Sequence, residues 1–349
     1  MSPTPQEIRD AKAEATLRDR DLAASLGISE AQLVAAHTGA TGPFRATRIK
    51  HHPDEVMPLI PRLGEVMSLT RNASVVHERV GTFGEYRAGR HASMVLGHDI
   101  DTRIFPKHLA YGFAVEAETD SGTRRSLQFF DTTGEALQKI YLRATSDAAA
   151  FDPLVAELTL DDQSDVITPE PPIPTEPARA DADKRDVLIE QWQKMTDTHQ
   201  FNRICSKLGM NRLGAYRLAG DPFVRPVDPQ SVETWLHRLS ETGQKIVLFV
   251  GNRGHIQIHW GPVETIKPMG PWLNVLDPMF NLHLRADHLA EAYVVTKPTK
   301  RGPAISLECF DPEGGLIFQC YGQRDGEDDP LDQWHGILDS LPALREAAE

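Results

Sequence analysis

The chain has 349 residues, 40% of them hydrophobic and 25% charged, which is the composition of an ordinary globular protein. Its formal net charge of −13 disfavours non-specific nucleic-acid binding and adhesion to anionic membranes, because both need clustered lysine and arginine. This length suits two domains, each large enough for its own core.

Cysteine content and the N-terminal segment narrow the class further. The three cysteines show no CxxC or CxxCH spacing, which argues against a disulfide framework, a structural zinc site and a covalent c-type haem attachment. The N-terminus lacks the apolar segment of a signal peptide, and no 18-residue apolar run could form a membrane helix. We therefore expect a cytoplasmic protein with no membrane insertion and no nucleic-acid partner.

The first half of the chain is predicted to be helical and then strand-rich. Residues 5–37 have a helical pattern, with Ser29 as a candidate N-cap and Gly39 as the end of the last helix. From about residue 45 to residue 145, short apolar runs alternate with turn residues, which is typical of strands. Residues 124–142 are predicted to form a β-hairpin around the turn DTTG.

An acidic, proline-rich segment over residues 161–183 has no aromatic residue and is predicted to be a linker. The same order of elements then restarts. Helices are predicted over 184–208, 212–220 and 230–242, strands over 245–251 and 255–260, and a hairpin over 305–322.

The chain is a tandem duplication. Residues 71–142 align with 251–322 without a gap and share 16 identities in 72 positions, where chance would give about 4 or 5. A repeat of this length is a whole domain rather than a solenoid unit. We predict a first repeat over 1–160, the linker over 161–183 and a second repeat over 184–349. Helices followed by hairpins predict an α+β fold, each half having N-terminal helices and a large antiparallel sheet.

His199 is the first candidate for chemistry. In a continuous helix it would lie at the end of an apolar stripe formed by Leu188, Trp192 and Met195. A histidine in this position is a buried core residue, part of a local capping arrangement with Asp197, or a ligand. Aligning the helical parts of the two halves places His199 opposite Leu17, as expected if the second copy acquired a ligand.

Two candidates in the first half differ from their repeat partners, which are a glutamine and a histidine. His77 lies in a strand-like segment and is either a surface histidine or a contact to a ligand. Arg103 either forms a surface salt bridge with Asp99 or Asp101 or takes part in a site.

Three candidates lie on the late strands of the second half: Lys297, Tyr321 and Arg324. Long cationic side chains at a strand end could hold carboxylates or phosphates. The alternative is that they form an ordinary solvated surface.

Several stretches taken together resemble a known family. In the second half they are WQKMTDTHQF (192–201), FVGNRGHIQIHWG (249–261), FNLHL (280–284), VVTKPT (294–299) and SLECFDPEG (306–314). In the first half they are the segments around Asn72, His77 and Arg103. These stretches resemble the cytoplasmic hemin-degrading factors, the HemS/HmuS family of bacterial haem uptake. The resemblance covers nearly the whole chain, and the internal duplication is itself a family trait.

The resemblance implies haem, iron protoporphyrin IX, bound without a covalent link in a cleft of the second half and partly covered by the first. His199 would be the proximal iron ligand, and neutral imidazole is a common ligand of haem iron. Arg103 would approach from the distal side through a water or hydroxide on the iron. His77 is expected to contact the haem, and Lys297, Tyr321 and Arg324 would hold the propionates, which need cations.

The resemblance leaves two functions open. In the first, Arg103 polarises oxygen or peroxide on the iron, a meso carbon is attacked, and an external donor supplies electrons. In the second, the protein is a chaperone that receives haem from an ABC importer and passes it to a separate haem oxygenase. A haem-independent interaction protein is a third interpretation, from a different class.

Overall fold

The computed structural model describes residues 2–326 and 329–344. Helices precede antiparallel strands in each half of the sequence, and the strands form two nine-stranded sheets. The predicted α+β fold is therefore confirmed. The contacts divide the chain into two compact units.

Elements of the first half follow the predicted order. The helices are α1 (Pro5–Glu14), α2 (Asp19–Ser25), α3 (Glu30–Ala35), α4 (Pro53–Val56) and α5 (Phe151–Leu158). The strands are β1 (Phe44–Ile49), β2 (Val66–Arg71), β3 (Val75–Gly81), β4 (Glu85–Arg87), β5 (Ser93–Leu96), β6 (Asp101–Ile104), β7 (Tyr111–Thr119), β8 (Gly122–Phe130) and β9 (Ala136–Leu142).

Helices cover both faces of the main run of strands in the first half. Six strands are neighbours in the order β1-β7-β8-β9-β2-β3, and β4, β5 and β6 form a separate run of three. Leu127 packs with Leu154 of α5, whereas Phe113 packs with Val34 of α3. Side chains alternate between the two faces of a strand, so each face supplies its own core.

The second half repeats this plan. Its helices are α6 (Arg185–Gln193), α7 (Gln200–Leu208), α8 (Arg212–Ala219), α9 (Ser231–Thr242) and α10 (Asp332–Asp339). Its strands are β10 (Val224–Val227), β11 (Ile246–Gly251), β12 (His255–Gly261), β13 (Ile266–Met269), β14 (Trp272–Leu276), β15 (Phe280–Arg285), β16 (Glu291–Lys297), β17 (Ala304–Phe310) and β18 (Leu316–Gly322).

Two helical layers also flank the strands of the second half. The neighbours run β10-β16-β17-β18-β11-β12, with β13, β14 and β15 as a separate run. Trp235 of α9 and Trp334 of α10 share one core. Trp192 of α6, Phe201 of α7 and Tyr216 of α8 belong to the other, together with residues of β16 and β17. This second layer carries the side chains of the candidate site.

Most helices and strands lie where local sequence patterns predicted them. Ser29 caps α3 in a capping box with Gln32, and both predicted hairpins form, β8–β9 and β17–β18. The segment 255–260, in which apolar and polar residues alternate, is a strand whose polar residues are all buried, together with Ile258 of the apolar set. His255 and Gln257 are buried, whereas Trp260 is exposed.

Each compact unit includes a short segment from the other half of the sequence. Residues 72–76 belong to the second unit, where Asn72 Nδ2 donates to the Ile317 carbonyl at 2.8 Å. Residues 251–257 belong to the first unit, where Asn252 Nδ2 donates to the Leu137 carbonyl at 2.9 Å. Because both pairs are related by the 180-residue offset, the duplication extends to these contacts.

Residues 161–181 contain no helix or strand, and the unit boundary falls within them, between Ile173 and Pro174. The segment before the boundary is attached to the first unit, since the backbone N–H of Glu170 donates to the Thr132 carbonyl at 2.8 Å.

Across residues 2–326 and 329–344, none of the helices combines the length and apolar character needed to cross a membrane.

Candidate functional site

His199 begins a helix rather than lying inside one. α6 ends at Gln193 and α7 starts at Gln200, so the continuous helix predicted over 184–208 is wrong for residues 194–199. Side chains accept hydrogen bonds from backbone N–H groups within the break: Asp197 Oδ1 accepts from His199 at 2.8 Å, and Gln200 Oε1 accepts from Thr196 at 2.9 Å. Such local side-chain bonds compete with helical hydrogen bonding.

The imidazole of His199 is open to solvent and held by a carboxylate. Its side chain is 91% exposed, and its Nδ1 lies 2.7 Å from Asp197 Oδ1. An ionised carboxylate can only accept a hydrogen bond, so Nδ1 is the donor and the neutral ring presents the lone pair of Nε2. The core-histidine interpretation is therefore wrong. The local arrangement with Asp197 is confirmed, and it engages Nδ1 of the exposed ring rather than Nε2.

A buried carboxylate in the same unit gathers several donors. Glu308 of β17 is fully buried and accepts hydrogen bonds from five side chains: Lys297 Nζ at 2.5 Å, Arg212 Nη1 and Gln319 Nε2 at 2.6 Å, Tyr216 Oη at 2.8 Å and Ser306 Oγ at 2.9 Å. We call these six residues the Glu308 cluster. Two cations and one carboxylate give it a net charge of +1.

Burial and pairing act in opposite directions within the Glu308 cluster. Burial disfavours the ionised form of Glu308, but the attraction of Lys297 and Arg212 outweighs it and holds the pKa of the carboxyl well below its usual range. For Lys297 the balance is reversed, and burial lowers its pKa to about 8 despite the attraction of Glu308. The difference arises because Glu308 faces two cations, whereas Lys297 shares one carboxylate with Arg212.

Helix α7 connects His199 to the Glu308 cluster. Arg212 is 23% exposed, and its Nη2 donates to Asn202 Oδ1 at 3.2 Å. Asn202 follows His199 by three residues, which is about 4.5 Å along a helix axis. The ring of Phe201 lies 5.2 Å from Lys297 Nζ. Arg212 therefore contacts a residue that lies about one helical turn after His199.

The three candidates on the late strands have different environments. Lys297 is buried in the Glu308 cluster, so the solvated-surface alternative is wrong for this residue. The hydroxyl of Tyr321 accepts a hydrogen bond from Gln319 Nε2 at 2.7 Å, which places it beside the cluster. Arg324 Nη1 donates to the Asp329 carbonyl, outside the cluster. The structure thus brings Lys297 and Tyr321 together and directs Arg324 to a neighbouring loop.

Arg103 and His77 belong to the first unit. On β6, Arg103 Nη1 donates to Asp101 and to the Thr102 carbonyl at 3.1 Å, and its side chain is 29% exposed. The predicted ion pair with Asp101 is therefore present. His77 on β3 is completely buried, so it is not a surface histidine. Its backbone carbonyl accepts a hydrogen bond from Gln257 Nε2 at 3.2 Å.

Sequence analysis missed Arg212, Tyr216 and Glu308. Comparison of the two copies contained a signal for two of them. Glu308 aligns with Gln128 at the 180-residue offset, and Arg212 aligns with Glu30 when the helices are matched. Both positions therefore change charge between the copies, which marks them as candidates for specialisation.

The first unit has its own buried charge cluster, which also contains two cations and one carboxylate. Glu30, the first residue of α3, pairs with Lys139 Nζ and Arg71 Nη2, both at 2.5 Å. In the second unit the first residue of α8 is instead a base, Arg212, and the strand supplies the acid. Glu30, Lys139 and Arg71 are at most 10% exposed, so this first cluster is closed to solvent.

Fold and site together define a duplicated α+β protein whose second copy carries an exposed, carboxylate-bound histidine next to a net-positive cluster. A family model described as the haemin-degrading HemS.ChuX domain matches residues 27–158 and again residues 209–341. The hemin transport protein HmuS of Yersinia pestis is 35% identical over 319 residues, which is 90% of each chain. This chain therefore belongs to the HemS/ChuX haemin-degrading family.

Solved structures agree with this assignment. Holo-PhuS, a heme-binding protein from Pseudomonas aeruginosa, matches with a TM-score of 0.91 at 38% identity, covering 98% of this chain and 100% of that one. ChuS, an E. coli heme oxygenase, matches with a TM-score of 0.85 at 33% identity, covering 96% of this chain and 99% of that one. Both relatives share the whole duplicated fold.

Proposed function

We propose that this chain binds haem non-covalently, with His199 as the protein ligand to the iron. The observation that carries the proposal is the exposed imidazole of His199, on a helix whose Asn202 accepts a hydrogen bond from the partly exposed Arg212. Neutral imidazole is a common ligand of haem iron. The carboxylate of Asp197 favours the tautomer that leaves Nε2 free to bind a metal.

The Glu308 cluster suits the carboxylates of haem. Its net charge of +1 persists in a chain whose overall charge is −13. Arg212 is exposed enough to donate to a propionate, and the hydroxyl of Tyr321 lies beside the same cluster. Lys297 is buried, so it acts through its charge and through the position it gives to Glu308. We keep Arg324 as a propionate contact, for which its guanidinium would exchange the Asp329 carbonyl for the ligand.

The reaction that we propose is oxidative opening of the haem ring to release iron. When bound, the haem iron supplies the activation of oxygen, and an external donor supplies electrons. Arg103 would donate a hydrogen bond to negative charge that develops on the oxidant, a role for which a guanidinium is suited. Its pairing with Asp101 holds the side chain in one conformation. The match to a heme oxygenase supports this candidate.

Transfer of intact haem is the second candidate. It is favoured by the 91% exposure of His199, because a ligand at the surface allows a partner to approach and take the cargo. A curated relative is named a hemin transport protein. The partners in this case would be a haem ABC importer and a separate haem oxygenase, and the setting would be the cytoplasm.

Haem binding is tested by titrating the apo-protein with hemin. The wild type should give a shifted Soret band with one ligand contributed by histidine, and His199→Ala should change or lose that band. His98→Ala is the matched control, because His98 is also exposed and its Nδ1 also contacts an aspartate, Asp99, at 3.1 Å. A His199→Ala spectrum identical to wild type would show that the ligand is another residue.

The two candidate functions are separated by adding reductant and oxygen to the haem-loaded protein in the presence of catalase. Ring opening predicts that the Soret band bleaches, and that Arg103→Ala slows the bleaching by about 100-fold, the effect of one lost donor to developing charge. Hemin affinity of this variant should stay within about tenfold of wild type, or about 1.4 kcal/mol. A wild type that never bleaches but transfers haem to an oxygenase would support the transfer function instead.

A further inference from the structure

Asp197 makes two hydrogen bonds to the same residue. Its Oδ1 accepts from the backbone N–H of His199 at 2.8 Å and from the imidazole Nδ1 at 2.7 Å. The first bond explains how α7 begins. The second bond is not needed for a helix start, because capping satisfies backbone N–H groups.

We propose that Asp197 is a positioning residue for iron ligation, which fixes the ring orientation and tautomer of His199 and increases the electron donation of its Nε2. The inference rests on the proposed haem function. Metal-bound histidines generally donate their second ring N–H to a carboxylate or carbonyl, and this raises the basicity of the ligating nitrogen. In this chain the carboxylate is supplied two residues before the histidine, by the same turn that starts the helix.

The position of the pair explains how it would gain strength on ligand binding. In the free protein both side chains are mostly exposed, 91% for His199 and 57% for Asp197, so water weakens their interaction. A planar ligand on the imidazole would displace this water and lower the local dielectric. The hydrogen bond to the charged acceptor would then be stronger than in water.

Electron donation from the ligand has a predictable effect on iron. A more basic imidazole stabilises ferric iron relative to ferrous iron and strengthens the bond between iron and nitrogen. Asp197 would therefore favour capture of ferric haem, the form called hemin. Release would be favoured by reduction of the iron, which is also the first requirement for oxidative ring opening with an external electron donor.

The experiment uses Asp197→Asn in the full-length, haem-loaded protein. The amide oxygen can still accept from the His199 backbone N–H, so α7 should still begin at the same place, but the negative charge is removed. We expect ferric haem binding to weaken by about tenfold, the lower end of the range for such outer contacts. The iron–histidine stretch in the resonance Raman spectrum of the ferrous protein should move to lower frequency, and the reduction potential should rise.

Glu190→Gln is the matched control. It removes the same charge from the same unit, and Glu190 is exposed and paired with Lys194 rather than with the imidazole. This control should keep the wild-type Raman frequency and potential. Wild-type values in Asp197→Asn as well would overturn the inference and leave Asp197 as a helix cap only. Failure of the haem proposal is separate, because it would appear as an unchanged spectrum in His199→Ala.

Discussion

Removal of the buried carboxylate of Glu308 is the sharpest perturbation that the structure offers. Glu308→Gln keeps the shape of the side chain but removes its negative charge. Lys297 and Arg212 would then remain close together without the anion that both contact, at 2.5 Å and 2.6 Å. We expect the second unit to become much less stable, while its fold is retained.

The size of the effect follows from the burial of the group. Breaking a buried ion pair by removing one partner typically costs about 3–5 kcal/mol, because the other charge is left uncompensated. The pKa of Lys297 is about 8 rather than 10.5, so even with Glu308 present the folded protein disfavours its charged form by about 3 kcal/mol, at ~1.4 kcal/mol per pKa unit. Loss of Glu308 adds to that penalty, so a value near the upper end of the range is expected.

Tryptophan fluorescence measures this loss in the correct unit. All five tryptophans lie between residues 192 and 334, so urea unfolding followed by fluorescence reports on the second half of the chain. The destabilisation should be smaller at pH 9 than at pH 7. With Glu308 present the pKa of Lys297 is about 8, and loss of the carboxylate lowers it further. At pH 9 the amine is therefore mostly neutral in both folded proteins and contributes little to the difference in their stability.

Two further variants test the reasoning. Glu308→Gln combined with Lys297→Met should recover part of the lost stability, because replacing both members of a buried pair is often nearly neutral. Glu313→Gln, on the exposed turn between β17 and β18, should change the free energy of unfolding by less than about 0.5 kcal/mol. A loss below about 1 kcal/mol for Glu308→Gln, equal at both pH values, would refute the account of the cluster.

Three other outcomes follow from the structure. Arg212→Ala should weaken hemin binding by about 10- to 100-fold, since a charge-assisted hydrogen bond contributes about 1.5–3 kcal/mol. A loss of affinity below twofold in the hemin titration would show that Arg212 does not contact the propionates. Burial opposes ionisation of Glu30, but Lys139 and Arg71 lower its pKa from 4.5 to about 2, so its stabilisation is present above pH 4.5 and is lost as the pH falls towards 2. In Glu30→Gln the stability of the first unit, followed by circular dichroism, should therefore depend less on pH in this range. An unchanged slope in that pH range would contradict this assignment. Replacing residues 171–175 with a specific protease site should allow cleavage into two fragments that still elute together in gel filtration. Residues 72–76 and 251–257 each pack in the unit formed mainly by the other fragment, which is why the fragments should stay together. Separate elution would count against these contacts.

Features set by short-range interactions were predictable from the sequence. The capping box at Ser29, the hairpin turns and the strand alternation all depend on residues within a few positions of one another. The internal repeat then gave the order of elements for both halves at once. These signals explain why the α+β class, the duplication and the helices α8 and α9 were predicted with nearly correct bounds.

Other features depend on residues that are distant in sequence. Glu308 follows Ser306 on one side of β17, and a polar pair of this kind is typical of a solvent-facing strand. It is buried because α8 covers that face and supplies Arg212 and Tyr216. The break before α7 was missed for another reason. The apolar stripe of α6 continues to Met195 in register, and the break depends on side chains of Asp197 and Gln200 that accept hydrogen bonds from the backbone N–H groups of His199 and Thr196.

The two copies differ in the residues on which the proposed haem site depends. Each unit has a buried cluster of two cations and one carboxylate with a net charge of +1, but the residue at the helix start is exchanged from the acid Glu30 to the base Arg212. The exchange has a geometric consequence. A base at the start of a helix reaches solvent, as Arg212 does at 23% exposure, whereas an acid there closes the cluster, as Glu30 does. The copy with the partly exposed cluster also has His199 where the other has Leu17, and the proposed haem site would use both differences, an imidazole for the iron and a cation for the carboxylates.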